Sequence, residues 1–272
     1  MEKHTVSASL TDNTKYMNRA LPVKKSFDII ERNLIIGGQN SAFYFIDGFT
    51  KDETMLKLMD SFLNISADDM PEDATSFSTS CIPYVEVDIL GDFDSIFKNL
   101  LSGVTCLFID GYEAAIAIDC RTYPSRSIEE PDKDKSLRGS RDGFVETIVF
   151  NTALMRRRIR DPHLIMEMYE AGTSTRTDVA LCYMSDRVDR ELLTTIQNKL
   201  EESKSQDLKM SQQSLAESLF QRKWYNPFPK YKFTERPDTA CACLMEGKVI
   251  ILTDTSPSAL ILPTSIFDRR GK

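Results

Sequence analysis

The chain has 272 residues, of which 41% are hydrophobic and 28% charged, with a formal net charge of −7. That length is enough for one large domain or two small ones, and the composition is that of a globular chain with a real core. The acidic balance excludes a general nucleic-acid or anionic-lipid surface, so any basic function must be local.

The N-terminal "MEKHTVSASLTDNTKYM" has no apolar signal core, and no run approaches the ~18 apolar residues of a membrane span, so the sequence reads as a soluble chain. Residues 17–33 can carry a helix. "NLIIGGQNSAFYFIDG" predicts a hairpin about Gly37 and Gly38. In "KDETMLKLMDSFLNI", Met55, Leu58, Met59, Phe62 and Leu63 recur at helical spacing. The polar, acidic "SADDMPEDATSFSTS" reads as a loop, "YVEVDIL" as a strand, and "FDSIFKNLLSG" as a short helix closed by Gly103. "VTCLFIDGYEAAIAID" predicts a second hairpin turning at Asp110-Gly111.

The next segment, 121–140, carries two prolines and dense mixed charge, and is expected to be a linker between a first subdomain at 1–121 and a second at 122–272. Past it, a helix is expected from the Gly143-Phe144 pair to the arginines at 156–160. A second helix is expected from Asp161-Pro162 to Gly172. "TDVALCYM" reads as a buried strand, and "DRELLTTIQNKLEES" and "SQQSLAESLFQRK" as helices. "WYNPFPKYKFTERP" reads as extended, with Trp224, Tyr225 and Phe228 laid over a core, or as a partner ligand. A helix over "DTACACLMEG" and a hairpin over "KVIILTDTSPSALILP" close the chain. The spacing from Gly103 to Asp110 repeats from Gly247 to Asp254, each followed by an apolar strand. Two related lobes are therefore expected: an α/β fold of two mixed subdomains, with hairpins packed by helices.

Chemistry is sparse. Six cysteines (81, 106, 120, 182, 241 and 243) include no C-x-x-C pair, and Cys241 and Cys243 point about 200° apart on a helix. They read as reduced structural thiols rather than metal ligands or disulfides. His4 and His163 have no ligand partners at useful spacing. Asp68, Asp69, Glu72 and Asp73 lack the order of a calcium loop. No nucleophile, base and oxyanion-hole set can be assembled, and no phosphate or dinucleotide fingerprint occurs. The reading is a non-enzyme with no cofactor, no metal and no nucleic-acid partner.

The arginine-rich helix carries what signal there is. Phe144, Ile148, Met155 and Ile159 fall within about 60° of one another, a narrow apolar stripe. On that wheel Arg156, Arg157 and Arg160 share the opposite, outward side, while Arg158 lies beside the stripe near Asn151, where a carboxylate at the buried edge is expected to pair with it. Arg138 and Arg141 precede the helix and could receive a partner's carboxylates. The candidate partner-binding residues are thus Arg138, Arg141, Arg156, Arg157 and Arg160. The candidate structural ones are Arg158, Gly143, Phe144 and Asn151. Four arginines in a last helical turn also suit the helix dipole without any partner.

"LRGSRDGFVETIVFNTALMRRRIRDPHL" resembles the signature of the A subunits of spore germinant receptors, the GerA family. "TDVALCYM", "WYNPFPKYKFTERPD", "EGKVIILTDTSPSALILPTSIFD" and "IDGF" resemble further blocks of it in order, from about residue 30 to 268. The wording of "SIEEPDKDKSLRGSRDGFVET" and "ERPDTA" is most similar to the stage V sporulation protein AF branch. The resemblance implies the large soluble N-terminal region of a spore inner-membrane germination protein, built of two α/β subdomains on the cytoplasmic side. A membrane domain would follow it; here the chain stops at "RRGK" without spans, so a piece of a longer protein is expected. The implied partners are other subunits of the germination complex, with a homo-oligomer as a further option and membrane contact only through the missing domain. The implied role is non-catalytic assembly in a complex linked to germinant response and ion release. The alternative is a small-molecule sensor with its ligand between the lobes.

Overall fold

The computed structural model describes residues 4–50, 52–84, 86–123, 142–204, 212–219 and 231–263. The Trp224–Pro229 segment, Arg138, Arg141 and nearly all of the expected linker lie outside these. The chain divides into two compact units, Met1–Pro124 with Arg160–Pro162, and Ser125–Ile159 with His163–Lys272.

In the first unit, helix α1 (Leu10–Ala20) precedes strands β1 (Ile29–Ile36) and β2 (Gln39–Ile46). Helix α2 (Asp52–Leu63), a 3-10 turn (Ala67–Asp69) and α3 (Ala74–Ser80) follow, then β3 (Val87–Leu90), α4 (Phe93–Leu101), β4 (Thr105–Ile109) and β5 (Ala115–Ile118). The five strands form one antiparallel sheet in the order β1-β2-β4-β5-β3. One face buries Ile36, Phe43, Leu107, Ile116 and Ile118 against Leu58 and Phe62 of α2 and Phe77 of α3. Apolar residues spaced three and four apart on α2 give the helix the stripe that this face needs.

The second unit repeats that plan. It runs α5 (Ile148–Arg158), β6 (Leu164–Ala171), β7 (Thr177–Met184), α6 (Arg190–Ser203), α7 (Gln212–Leu219), β8 (Lys232–Thr234), α8 (Pro237–Met245), β9 (Val249–Thr253) and β10 (Ala259–Leu262). Its sheet order, β6-β7-β9-β10-β8, is the first unit's order strand for strand. Val179, Leu181, Ile251 and Leu260 pack there against Leu193, Ile196 and Leu200 of α6. Gly103 and Gly247, which end α4 and α8, occupy equivalent places with φ of +100° and +85°. A side chain at either would strike a neighbour, Phe49 in one case and the Arg187 carbonyl in the other, so both positions require glycine. The expected two-lobed α/β fold, with hairpins packed by helices, is the observed one.

Several expected elements differ. Residues 29–33 are strand rather than helix, and the segment read as the loop "SADDMPEDATSFSTS" contains α3, capped by the Asp73 carboxylate accepting from Ser76 N at 2.8 Å. The largest correction is at 161–172. Instead of a helix it carries β6, paired residue for residue with β7 from Leu164↔Met184 to Ala171↔Thr177. "LIMEMYEA" is too short and too evenly apolar for periodicity to separate helix from strand, and pairing with β7 decides it. His163 thus precedes a strand, and its carbonyl accepts from Ser185 N at 2.9 Å.

Candidate functional site

The arginine-rich segment begins as extended chain. Phe144 N donates to Glu235 O at 2.9 Å, tying the segment to the turn before α8, and both Gly143 and Phe144 are buried. Helix α5 begins only at Ile148, four residues later than the Gly-Phe pair suggested. Its first N–H is capped from outside, since Asp254 Oδ1, in the β9–β10 turn, accepts from Ile148 N at 3.1 Å. Asn151, fully buried, folds back on the entering chain. Its Oδ1 accepts from Val145 N at 2.8 Å and its Nδ2 donates to Val145 O at 2.6 Å. An amide side chain fits this task because it offers donor and acceptor side by side.

The first unit contains the same device. Asp110 Oδ1 accepts from Leu10 N at 2.9 Å, Asn13 Oδ1 accepts from Ser7 N at 2.9 Å, and Asn13 Nδ2 donates to Ser7 O at 2.6 Å. The repeated Asp of the two hairpins, visible in the sequence as a spacing, therefore serves as a helix cap delivered across the fold.

The arginines separate differently from the wheel. Arg156, expected outward, is 0% exposed, and its Nη2 donates to Leu164 O at 3.0 Å. The cause is that α5 is covered on more than one side, by β7 and β9 and by α8. Ile148, Asn151, Thr152, Ala153, Leu154, Met155 and Arg156 are all buried, so little of the helix faces solvent. Arg157 is exposed, as expected. Arg160 is exposed but lies beyond the helix end, so the wheel does not apply to it; its Nη2 lies 3.5 Å from the Tyr123 hydroxyl. The expected outer face of three arginines is thus not a face of α5.

Arg158 does meet a carboxylate. Its Nη2 donates to Asp142 Oδ2 at 2.6 Å and its Nη1 to Leu154 O at 3.0 Å. The partner side chain is 52% exposed, so the pair is a screened one rather than the buried-edge contact expected. Close by, Arg236 grips Asp238 with two parallel bonds, Nε to Oδ1 at 3.0 Å and Nη2 to Oδ2 at 2.5 Å. Burial alone would raise the Asp238 carboxyl. The bonds from Arg236 and from Thr239 N, with the charges of Arg236 and Arg158, outweigh burial and hold it below its usual range. Two sequence blocks far apart in the chain, "RDGF…RRR" and "ERPD", therefore meet at one end of α5 and α8. On the facing side of α8, burial pushes the Cys241 thiol up to about 12, which leaves it protonated and unreactive.

One cluster was missed from sequence. Glu167 on β6 is nearly buried, and its two oxygens accept from Tyr183 Oη at 2.6 Å, Tyr169 Oη at 2.7 Å and Gln197 Nε2 at 2.8 Å. Burial first, then the bond to Glu167, raises both phenols. Reading 164–171 as a strand would have put Glu167 and Tyr169 on one face, because residues two apart share a face there. Among the described residues no group of His, Cys, Asp and Glu could hold a metal, and no helix is long and apolar enough to cross a membrane.

A model of the Bacillus/Clostridium GerA spore germination protein family matches residues 15–270. Stage V sporulation protein AF of Bacillus subtilis is 34% identical over 98% of this chain and 54% of its own length. Spore germination protein KA of the same organism is 29% identical over 95% of this chain and 47% of its own. The chain thus spans about half the length of the curated relatives it matches. The N-terminal domain of the A subunit of the Bacillus megaterium spore germinant receptor GerK3 superposes with a TM-score of 0.70. That match covers 98% of this chain and 99% of the other at 22% identity, a likeness of fold.

Proposed function

Since the chain belongs to the GerA family of spore germination proteins, we propose that it is a non-catalytic assembly domain of a germination protein held at the spore inner membrane, on the cytoplasmic side, with other germination subunits as its partners. The observation that carries this reading is how the signature residues are used. Arg156 and Asn151 tie α5 to β6 and to the chain that enters it, Arg158 ties it to Asp142, and the Arg236–Asp238 pair fixes the start of α8. A signature spent on bracing keeps a rigid surface in shape, which is what a docking domain needs. Arg157 and Arg160 are exposed, and these two, with Arg138 and Arg141 from the sequence pattern, are the basic positions proposed to meet carboxylates of a partner.

The test is Arg157→Glu combined with Arg160→Glu in spores carrying the full-length protein. Germination should slow while the amount of the protein in the inner membrane is unchanged. Normal germination of the double variant removes these arginines from assembly. A parallel series of melting curves with amino acids, sugars and nucleotides should show no stabilisation. A rise in melting temperature with one of them would favour a sensor instead.

A further inference from the structure

Helix α2 presents an apolar strip to solvent. Leu56 is 72% exposed and Leu63 is 59% exposed, the two most exposed leucines among the described large hydrophobic residues. At 100° per residue they lie within about 20° of each other, with Met59 about 60° to one side. On the other side, at about 40° and 60°, stand the exposed carboxylates of Asp60 and Glu53, with Lys57 further round. With Leu56 and Leu63 at a positions and half-buried Met59 at d of a heptad, the e positions on one flank, Glu53 and Asp60, are both acidic, while the g positions on the other, Met55 and Phe62, turn into the core.

The repeat in the fold supplies an internal control. Helix α6 sits in the second unit where α2 sits in the first, and its buried Leu193, Ile196 and Leu200 match Met55, Leu58 and Phe62. At the outward positions matching Leu56 and Leu63, α6 carries exposed Thr194 and Glu201. The fold therefore does not require leucine there, and an exposed leucine gains nothing for the isolated unit.

We infer that the outer face of α2 is a docking seam for an amphipathic helix of a partner polypeptide, one with apolar seam residues flanked by Lys or Arg. The choice of occupant follows from charge. A second copy of α2 laid antiparallel would oppose Glu53 and Asp60 with more carboxylate, one laid parallel would offer them only Met55 and Phe62 and no counter-charge, and an anionic membrane would repel them. This inference rests on the assembly reading above but names a different surface.

The experiment uses the 272-residue chain and two synthetic helical peptides with leucine at both seam positions, one flanked by lysine and one by glutamate, followed by fluorescence anisotropy. The lysine-flanked peptide should bind at least about 10-fold more tightly, with the preference fading as salt is raised. Leu56→Thr with Leu63→Glu, the residues of α6, should weaken binding about 10-fold or more with an unchanged melting temperature. Glu53→Lys with Asp60→Lys should reverse the preference between peptides. Absent binding, equal binding of both peptides, or binding indifferent to Leu56 and Leu63 overturns the inference. Co-sedimentation with phosphatidylglycerol vesicles that depends on Leu56 also overturns it, assigning the face to a membrane. These outcomes are independent of Arg157 and Arg160, so failure here leaves the assembly reading standing.

Discussion

The two units share strand order, helix order and the Asn-and-Asp device that seats their first helices, yet they differ at one instructive place. In the second unit Arg156 enters the space under α5 and finds the Leu164 carbonyl. In the first, the equivalent position on α1 is Asn18, whose Oδ1 is buried without a hydrogen-bond partner among the described residues. A repeated backbone thus fixes where a side chain goes but not whether it is satisfied there. The long guanidinium reaches an acceptor that the short amide does not, and only a satisfied polar group is worth burying.

The largest effect is expected of Arg156→Ala. It opens a large cavity and strips the Leu164 carbonyl of a donor, so denaturant unfolding should show a loss of about 3 kcal/mol, against about 1 kcal/mol or less for Asn18→Ala. Equal losses would mean that Arg156 is a passenger. Next come the shared features. Asn13→Ala and Asn151→Ala should each cost about 2 kcal/mol, because each leaves a backbone N–H and a carbonyl unpaired. Costs differing by more than about 1 kcal/mol would show that the two units do not rely on the device equally.

Arg158→Ala should cost only about 1 kcal/mol, and less at high salt, since Asp142 is largely solvated. The neighbouring Asp238 gives a pH signature. Its carboxyl lies below its usual value in the folded state, so its contribution is fully present above pH ~4 and is lost as pH falls through the folded value. Stability of Asp238→Asn, followed by melting between pH 6 and 3, should therefore fall less steeply at the acid end than that of the parent chain. An unchanged acid limb would remove Asp238 from the account. The smallest effect belongs to Arg157→Glu, within about 0.5 kcal/mol for an exposed side chain.

Much of this was legible in the sequence. Helices α2, α4 and α6 declare themselves because their apolar residues recur at a spacing that only a helix brings to one side, and Asp110-Gly111 declares its turn because few residue pairs accept that backbone. The echo between Gly103–Asp110 and Gly247–Asp254 foretold the repeat, since equal spacing between a helix end and a turn is what two copies of one plan leave behind. The family resemblance rests on blocks long enough to be read without a structure. Tertiary structure alone decided that 164–171 is a strand, that Arg156 points inward, and that Asp142 rather than a buried carboxylate meets Arg158. Each depends on what lies across from the segment: a free edge on β7, a second cover from α8, a chain entering from outside the helix. A sequence states the angles between side chains on one element. Which arc is covered, and by what, is settled only when the other elements arrive.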